Sequence, residues 1–377
     1  MATGLQKEQT GLTDMTMIPQ TYPYKYLHEY ATAVLLKFGF SDEHAKLCAT
    51  VFMAAELRGI PSHGIMRLND FYPLLASGRM NVNPEFRIEH KTPSTALLDG
   101  DNTIGILPAH RGMQIAIEKA EHAGTGWVAV SNSSNFGITG YFAMMALEHD
   151  MIGFACTNTT PLVTPTFGIA SMLGTNPIAV AVPTGKQPPF VADFATTPVT
   201  RGKVSIYEKE GEKMGFGFVE DAEGNPSDDP TVLNRGGHML PLGGDREHGG
   251  HKGYCLGAIV DILSGVLSGA NFGQFVPPML ALPLYDEQQG KGCGHFFGAM
   301  RIDAFSDSET FKGRMDKWIE TMRNTKPAKG HDSVLIPGDP ERECEERIAR
   351  EGIRLLPQVM EESCAIAEKL GINFKKI

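Results

Sequence analysis

The sequence lacks the features that are typical of disulfide-rich, membrane-spanning and nucleic-acid-binding proteins. Its six cysteines are scattered over 377 residues without a C-x-x-C pair, which predicts reduced thiols in an intracellular protein. Its apolar runs stay short of the ~18 residues that span a bilayer. Acidic residues outnumber basic ones, 44 to 34, and no block of Lys and Arg stands out, so neither nucleic acid nor an anionic membrane is an expected partner.

Targeting and standard nucleotide-binding signals are also missing. The N-terminal "MATGLQKEQTGLTDMTMIPQ" has no apolar core and is not rich in Arg, so we expect no signal or transit peptide and a cytoplasmic location. The strings nearest to G-x-G-x-x-G are "GFGFVE" at 215–220 and "GCGHFF" at 292–297, and both lack the third glycine. A Rossmann or P-loop site is therefore not supported.

What the sequence does contain is helical periodicity at both ends and a mixed pattern in the middle. This pattern predicts an α/β (α+β) protein with a helical domain built from 1–85 and 306–377 and an inserted α/β domain at 86–305 with a mixed sheet. Three local expectations accompany it. Residues 205–253 read as long surface excursions, 253–269 as a buried helix, and Ser306 as the cap of the following helix.

Two other kinds of site are weighed on short strings. His248, His251 and Cys255 lie close together in "HGGHKGYC", but the spacing and a fourth ligand of a zinc site are missing, so a glycine-rich loop is favoured and no metal is expected. Ser62 and His63 are adjacent, and adjacent side chains usually point apart, which disfavours a hydrolase pair.

Several longer strings together resemble one family, the NAD(P)-dependent type-2 malate/L-lactate dehydrogenases. Its relatives include ureidoglycolate, sulfolactate and diketogulonate oxidoreductases and cyclic-imine carboxylate reductases. The strings occur in family order from about residue 24 to 370: "ELRGIPSHGIMRL", "NFGITGYFAMMALEHDMIGFACTNTTP", "GTNPIAVAVP", "PFVADFATTPVTRGK", "HKGYCLGAIVDILSGVLSG" and "IPGDPE".

The resemblance implies a fold, a reaction and an assembly. The fold is not a Rossmann domain but an all-helical domain from both chain ends plus an α/β nucleotide-binding domain. The reaction is hydride transfer between the nicotinamide of NAD or NADP and a small 2-hydroxy or 2-oxo acid. A small carboxylate substrate and a homodimer are the implied partners, and a cyclic-imine carboxylate (ketimine) is the alternative substrate.

The family's site residues carry over by position. Ser62, His63 and Arg67 match its substrate side, where Arg67 can hold a carboxylate through two hydrogen bonds. The match also places cofactor contacts at Thr159, Asp193, Phe194, Ala195, Lys252, Pro337, Gly338 and Asp339. From the residues alone, Asp193 is equally explained by a carboxylate that fixes a turn, and Arg67 by a solvated helix face.

Asn135 is where this chain departs from the family pattern. The family usually has its acid–base His at this position, in a string like N-S-x-H-F-G, whereas this chain has Asn132-Ser133-Ser134-Asn135-Phe136-Gly137. An amide can orient or polarise a substrate oxygen but does not ionise near neutral pH. Three accounts remain open: another acid such as His63 or Asp193 acts instead, the protein binds ligand with little turnover, or the residue was replaced deliberately to trap a complex.

Overall fold

Helices predominate at both ends of the described part of the chain, and strands and helices share its middle. The computed structural model describes residues 20–278 and 288–375. Its helices are α1 (Tyr24–Phe38), α2 (Asp42–Leu57), α3 (Ile65–Ala76), α4 (Ile106–Ala123), α5 (Thr139–Met145), α6 (Arg201–Glu210), α7 (Gly250–Asp261), α8 (Ser308–Arg323), α9 (Asp339–Glu351) and α10 (Pro357–Leu370). Its strands are β1 (Gln20–Tyr22), β2 (Arg87–His90), β3 (Thr95–Asp99), β4 (Thr125–Ser133), β5 (Met151–Thr157), β6 (Ile178–Val182), β7 (Phe190–Phe194), β8 (Val219–Glu220), β9 (Pro226–Ser227), β10 (His238–Met239), β11 (Cys293–Arg301) and β12 (Ile353–Leu355).

The main sheet is mixed, as the sequence predicts. Its order is β2-β3-β4-β11-β5-β6-β7. The pair β3–β4 is parallel, while β11 runs antiparallel to both of its neighbours, β4 and β5. Because β11 comes from a distant part of the chain and lies in the centre of the sheet, it brings residues near 293 next to the ends of β4 and β5.

Helix ends follow local rules with one correction. The Ser41 side chain accepts a hydrogen bond from the His44 N–H at 3.2 Å, and Gly39 ends α1 in the left-handed conformation, which confirms both predicted boundaries. The cap predicted at Ser306 is wrong. Asp307 caps α8 instead, by accepting the Thr310 N–H at 2.8 Å, because a carboxylate one residue later fits the same role and adds charge at the helix N-terminus.

One face of the sheet is buried beneath α4 and α5. Val128, Val130 and Phe297 are fully buried on this face. Gly126 allows α4 to lie directly on β4, because a Cβ there would come within 1.9 Å of the Ala116 carbonyl oxygen. The residues buried under these helices belong to the same core as the apolar side chains of α1, α2, α3 and α10, so the helical ends and the sheet share one hydrophobic core.

The two ends of the chain contact each other. Strand β1 pairs antiparallel with β12, and the Asn69 amide donates to the Ser363 hydroxyl at 3.1 Å. Helix α8 instead contacts the strand side of the fold, since Asp316 accepts the backbone N–H groups of Gly185 and Gln187 at 3.0 Å each.

The prediction of surface excursions at 205–253 is wrong. This segment contains most of α6 and a three-stranded sheet of order β10-β8-β9. A second hydrophobic core lies beneath it, formed by Val163, Leu173, Val199, Val204, Met214, Val219, Val232 and Met239. The apolar residues of this core are spread thinly among charged ones, so their common interior was not visible in the sequence.

The prediction of a buried helix at 253–269 is also only partly correct. Helix α7 runs into a π-helical turn at Ile262–Val266. Ile259, Ile262, Val266 and Leu267 are each more than half exposed, so one apolar face of this segment is open. Of the residues that the structure describes, none belongs to a helix long and apolar enough to cross a membrane.

Candidate active site

A pocket of about 350 Å³ lies at the turn where β4 ends. The turn residues Asn132 to Asn135 form one wall, and Thr157 to Thr160, which end β5, form another. Arg79, which follows α3, and Lys291, which precedes β11, are the two cations in its lining, and Asn102 and Gln288 add two amides. Loops at strand ends can present side chains without disturbing the sheet, which makes this a favourable place for a site.

Hydrogen bonds hold the turn in place. The Ser134 hydroxyl donates to the Thr103 carbonyl and accepts the Gly105 N–H, both at 3.0 Å. Gly105 must be glycine because a Cβ would come within 2.1 Å of the Ser134 carbonyl oxygen. Asn132 has φ +54° and donates to Asp99 at 2.7 Å. The turn is therefore fixed to the start of α4, and the pocket wall is preformed.

The orientation of the Asn135 amide follows from its one hydrogen bond. Its Oδ1 atom accepts the Gly137 N–H at 3.0 Å. A flipped amide would place its NH₂ group against that N–H, so the oxygen must face the backbone. Within the described residues the Asn135 NH₂ group makes no hydrogen bond, and this donor remains for a ligand in the pocket.

The pocket has a positive lining in an acidic protein. Arg79 and Lys291 line it, and among the described residues that surround it there is no Asp or Glu. The pKa of Arg79 is lowered by burial, but a guanidinium stays charged at neutral pH. The local charge therefore favours an anionic ligand although the chain carries a net charge of −10.

Ser62, His63 and Arg67 form a separate cluster at the start of α3. Ser62 Oγ lies 3.0 Å from His63 Nδ1, so the expectation that these side chains point apart is wrong, because the tight turn before α3 brings the ring back onto the hydroxyl. Arg67 donates to the Ser62 carbonyl at 3.1 Å and pairs with Asp70 at 2.9 Å. None of the three lines the pocket beside Asn135.

The environment of His63 keeps its ring neutral at neutral pH. Burial, and then the nearby Arg67 cation, lower the pKa of His63 to about 3. A neutral imidazole can donate one hydrogen bond and accept another, but it cannot act as a general acid near pH 7.

Asp193 lies on β7 and contacts the first turn of α5. Its Oδ2 atom accepts the Gly140 N–H at 2.7 Å. Burial raises the pKa of Asp193 to about 6, against the opposing effects of the Gly140 hydrogen bond and the Arg58 charge. Because α5 follows the Asn135 turn directly, this contact fixes the far side of that turn.

Hydrogen bonds between threonine residues connect the pocket with the end of β7. Thr159 lines the pocket, and its hydroxyl accepts the Thr175 N–H at 3.0 Å. The Thr175 carbonyl in turn accepts the Thr196 N–H at 2.9 Å. The predicted cofactor position Thr159 is thereby linked to the predicted positions 193–195, which precede Thr196.

Phe194 ends β7, and Lys252 belongs to helix α7, which approaches Thr196. The Phe194 ring is exposed at the end of β7, and Ala195 follows it. Gly257 of α7 approaches Thr196 closely, since a Cβ there would be 3.2 Å from the Thr196 hydroxyl. Lys252 is exposed in the first turn of the same helix. Helix α7, which carries Lys252, therefore packs against Thr196, two residues after Phe194.

The segment of Pro337, Gly338 and Asp339 is hydrogen-bonded to β7. The Pro337 carbonyl accepts the Val191 N–H at 3.1 Å. Gly338 has φ +99° and is the N-cap of α9. The Asp339 carboxylate pairs with Arg323 at 3.0 Å, so in this structure it holds the segment together and does not face open solvent.

Three polar residues of the site region were not singled out by sequence reasoning. Arg79 and Lys291 come from segments that the fold brings together. His295, on β11, is completely buried between Ser133 and Thr157. A histidine two residues before a core phenylalanine, Phe297, lies on the same face of a strand, and this spacing was the available signal.

The histidine-rich loop has no metal-binding geometry. Within residues 20–278 and 288–375 there is no group of three or more His, Cys, Asp or Glu side chains placed to hold a metal ion. His248 pairs with Asp245 at 2.8 Å, and His251 Nδ1 lies 2.6 Å from the Arg246 guanidinium. Cys255 is exposed and reduced.

Comparisons with known proteins agree on one family. The malate/L-lactate dehydrogenase family profile matches residues 22–362. A malate dehydrogenase of Pyrococcus abyssi is 40% identical over 93% of this chain and 95% of its own length. A malate/(S)-sulfolactate dehydrogenase of Methanothermus fervidus is 38% identical over 90% and 95%. The crystal structure of malate dehydrogenase from Entamoeba histolytica superposes with a TM-score of 0.87 at 32% identity, covering 95% of this chain and all of that one (100%).

Proposed function

Because the chain belongs to the malate/L-lactate dehydrogenase family, whose members are oxidoreductases, we propose that it transfers a hydride between NAD or NADP and a small 2-hydroxy or 2-oxo acid. The observation that carries the proposal is the positively lined pocket at the Asn135 turn. The pocket offers two cations and an amide NH₂ group to a ligand. Its volume suits a small acid beside a nicotinamide ring.

The residues present are suited to the cofactor. Thr159 lies on the pocket, Phe194 offers an exposed ring, and Lys252 offers a cation of the kind that binds a pyrophosphate without a glycine-rich fingerprint. When bound, the nicotinamide supplies or accepts the hydride. We propose that Asp193, Ala195 and the segment Pro337–Asp339 shape the remainder of this site, outside a Rossmann domain.

The chain's own groups bind and orient the acid. Arg79 and Lys291 attract the substrate carboxylate into the pocket, and the Asn135 NH₂ group donates to an oxygen of the substrate. Arg67, with Ser62 and His63, is the carboxylate clamp that the family resemblance implies. In the present structure Arg67 pairs with Asp70 and does not line the pocket, whereas Arg79, which donates to the Pro278 carbonyl at 3.3 Å, does line it. Arg79 is therefore a second candidate for the clamp, and the two are separable by mutation.

The acid–base step needs a group other than the Asn135 amide. Of the three accounts, we favour retained turnover that uses another acid, because the sequence keeps the other residues of the family's site pattern. Asp193, with a pKa of about 6, titrates nearer to neutral pH than His63, with a pKa of about 3. Low turnover at a ligand-binding site is the alternative.

Asn135 also gives a reason to test a second substrate class, the cyclic imine carboxylates. A protonated imine nitrogen already carries the proton that the product amine keeps, so hydride addition to it requires no proton from residue 135. Such a substrate would retain the carboxylate that the positive pocket favours, and it would tolerate an amide at this position.

We further propose a homodimer and the domain arrangement of the family. The exposed apolar face of Ile259, Ile262, Val266 and Leu267 is of the kind that a second copy covers. The helical domain would comprise 1–85 and 306–377 and the α/β domain 86–305. The β1–β12 pair and the Asn69–Ser363 contact support the joining of the two ends.

A substrate screen tests the proposal. Oxidation of NADH and NADPH is followed with the 2-oxo forms of malate, lactate, sulfolactate and ureidoglycolate and with cyclic imine carboxylates. We expect turnover with at least one acid and one cofactor. No oxidation of either cofactor with any of these compounds, together with no change in nicotinamide fluorescence up to millimolar cofactor, would reject the proposed function.

A further inference from the structure

A buried chain of hydrogen bonds lies directly behind the pocket wall. His295 is fully buried on β11, with Nε2 2.6 Å from the Ser133 hydroxyl and Nδ1 2.7 Å from the Thr157 hydroxyl. The Phe136 ring is stacked on the imidazole, with centroids 4.7 Å apart and planes within 9°. Ser133 and Thr157 both line the pocket, whereas His295 does not reach it.

The carbonyl groups around Thr157 fix the direction of this chain. The Thr157 hydroxyl lies 2.9 Å from the Gly294 carbonyl oxygen and 3.0 Å from the Asn158 carbonyl oxygen. A carbonyl only accepts, so a Thr157 proton directed at the imidazole would leave the hydroxyl oxygen against two carbonyl oxygens with no proton between them. The proton of Thr157 therefore points to one of the carbonyl groups. The Thr157 oxygen therefore accepts from His295, and the proton of the neutral ring is on Nδ1.

The polarity of Ser133 follows from this tautomer. With its proton on Nδ1, His295 can only accept at Nε2, so the Ser133 hydroxyl donates to it. Burial lowers the pKa of His295 to about 3, which keeps the ring in this neutral form throughout the range in which the protein would be assayed. The lone pairs of the Ser133 oxygen are then the part of the hydroxyl left for a ligand.

We propose that Ser133 is a ligand-binding residue that acts only as a hydrogen-bond acceptor, and that His295 is the positioning residue that fixes this polarity. The group that Ser133 binds must be a donor. This deepens the proposed function and rests on it: the donor is the hydroxyl of the 2-hydroxy acid, while the carbonyl of the 2-oxo acid finds no donor at Ser133. Ser133 and His295 thus favour binding of the 2-hydroxy acid over the 2-oxo acid.

The first part of the test observes the tautomer without requiring activity. Nitrogen NMR of the protein labelled with ¹⁵N-histidine should show a ring protonated on Nδ1 that does not titrate between pH 5 and 9. The signal is assigned by its disappearance in the His295→Phe variant. A ring protonated on Nε2, or one that titrates near its ordinary pKa, would overturn the proposal.

The second part compares two ligands and two variants. L-malate is titrated into the complex with reduced cofactor, and oxaloacetate into the complex with oxidised cofactor. Ser133→Ala should weaken malate binding by about 2- to 10-fold, the fold-change that corresponds to one neutral hydrogen bond, and should leave oxaloacetate unchanged or tighter. Equal losses for both acids, or no loss for either, would overturn the acceptor role.

Thr157→Val removes the hydroxyl that accepts the Nδ1 proton while keeping the imidazole. The ring should then move its proton to Nε2 and donate to Ser133, whose own proton turns to the ligand. Malate should bind more weakly and oxaloacetate more tightly, whereas Thr157→Ser should match the unaltered protein. A general loss of packing would weaken both acids alike and contradict this. If the unaltered protein binds neither malate nor oxaloacetate, the comparison is made with the 2-hydroxy and 2-oxo acid pair that the substrate screen identifies. If the screen identifies none, the proposed function fails and the ligand role of Ser133 fails with it, while the NMR result separately decides the tautomer.

Discussion

Replacing Asn135 with His should add an ionisable group where the pocket now has an amide. The Asn135 Oδ1 atom accepts the Gly137 N–H, and Nδ1 of a histidine can take over this bond, which directs Nε2–H into the pocket. General acid–base catalysis contributes roughly 10²- to 10⁴-fold in rate, which corresponds to about 2.7–5.4 kcal/mol of transition-state stabilisation. We expect Asn135→His to recover much of this factor if position 135 faces the reacting oxygen.

The pH profile gives the sign of the effect. Arg79 and Lys291 line the same pocket, and these cations should bring the pKa of the new imidazole below its ordinary value of about 6.5 in the enzyme without substrate. Reduction uses the protonated ring, so kcat/KM for the 2-oxo acid should fall as pH rises through that pKa. Oxidation uses the neutral ring and should fall as pH drops through it.

A matched control separates ionisation from shape. Asn135→Gln keeps an amide and adds no ionisable group, so it should show neither the rate gain nor the new pH limb. Both variants are compared on the best substrate, with cofactor affinity measured alongside and expected to change little. A fast unaltered enzyme, with no gain and no new limb in Asn135→His, would refute the placement of the acid–base step at this position.

Three further outcomes follow from the structure. If Arg79 or Arg67 is the clamp for the substrate carboxylate, its replacement by Ala should reduce kcat/KM about 10- to 150-fold, because a charged hydrogen bond of ~1.5–3 kcal/mol is lost. Cofactor affinity should change little. Equal losses of acid binding and cofactor binding would contradict the role as a clamp. Glu56 is buried and its pKa is raised to about 7, so its ionisation removes stability as pH rises from about 4.3, the unfolded value, through 7. The stabilisation of the Glu56→Gln variant over the unaltered protein should therefore be larger at pH 8 than at pH 4, by on the order of 3 kcal/mol of unfolding free energy. A stabilisation that does not depend on pH, or an equal one in the Glu29→Gln variant at an exposed position, would contradict this prediction. Ile262→Asp should shift the protein toward monomer in sedimentation, unlike Ile206→Asp on α6, and an unchanged sedimentation coefficient would place the dimer contact elsewhere.

Features that depend on neighbouring residues could be predicted from the sequence. The cap at Ser41 and the stop at Gly39 follow from local chemistry, and the mixed sheet follows from the alternation of strand-like and helical runs. The choice of Asp307 over Ser306 shows the limit of such rules. Two good capping residues stand side by side, and Asp307, whose carboxylate adds favourable charge at the helix N-terminus, is the one that caps.

Features that depend on distant contacts were missed for a physical reason. The second core under 205–253 combines Val163 and Leu173 with Val219, Val232 and Met239, more than 40 positions later, and its strands of two residues give no periodic signal. Arg79 and Lys291 meet across the pocket only after folding. Asn135 and Thr159 were placed by resemblance, and the structure brings these two onto one pocket while Ser62, His63 and Arg67 lie in their own cluster.

Isotope transfer tests the central claim most directly. The reduced cofactor, labelled with deuterium at nicotinamide C4 in either the pro-R or the pro-S position, is incubated with the best 2-oxo acid from the screen, and the product is examined by mass spectrometry and NMR. Direct hydride transfer predicts one deuterium at C2 of the 2-hydroxy acid from one of the two labelled cofactors and none from the other. A product without deuterium at C2 from either cofactor would contradict the proposed reaction.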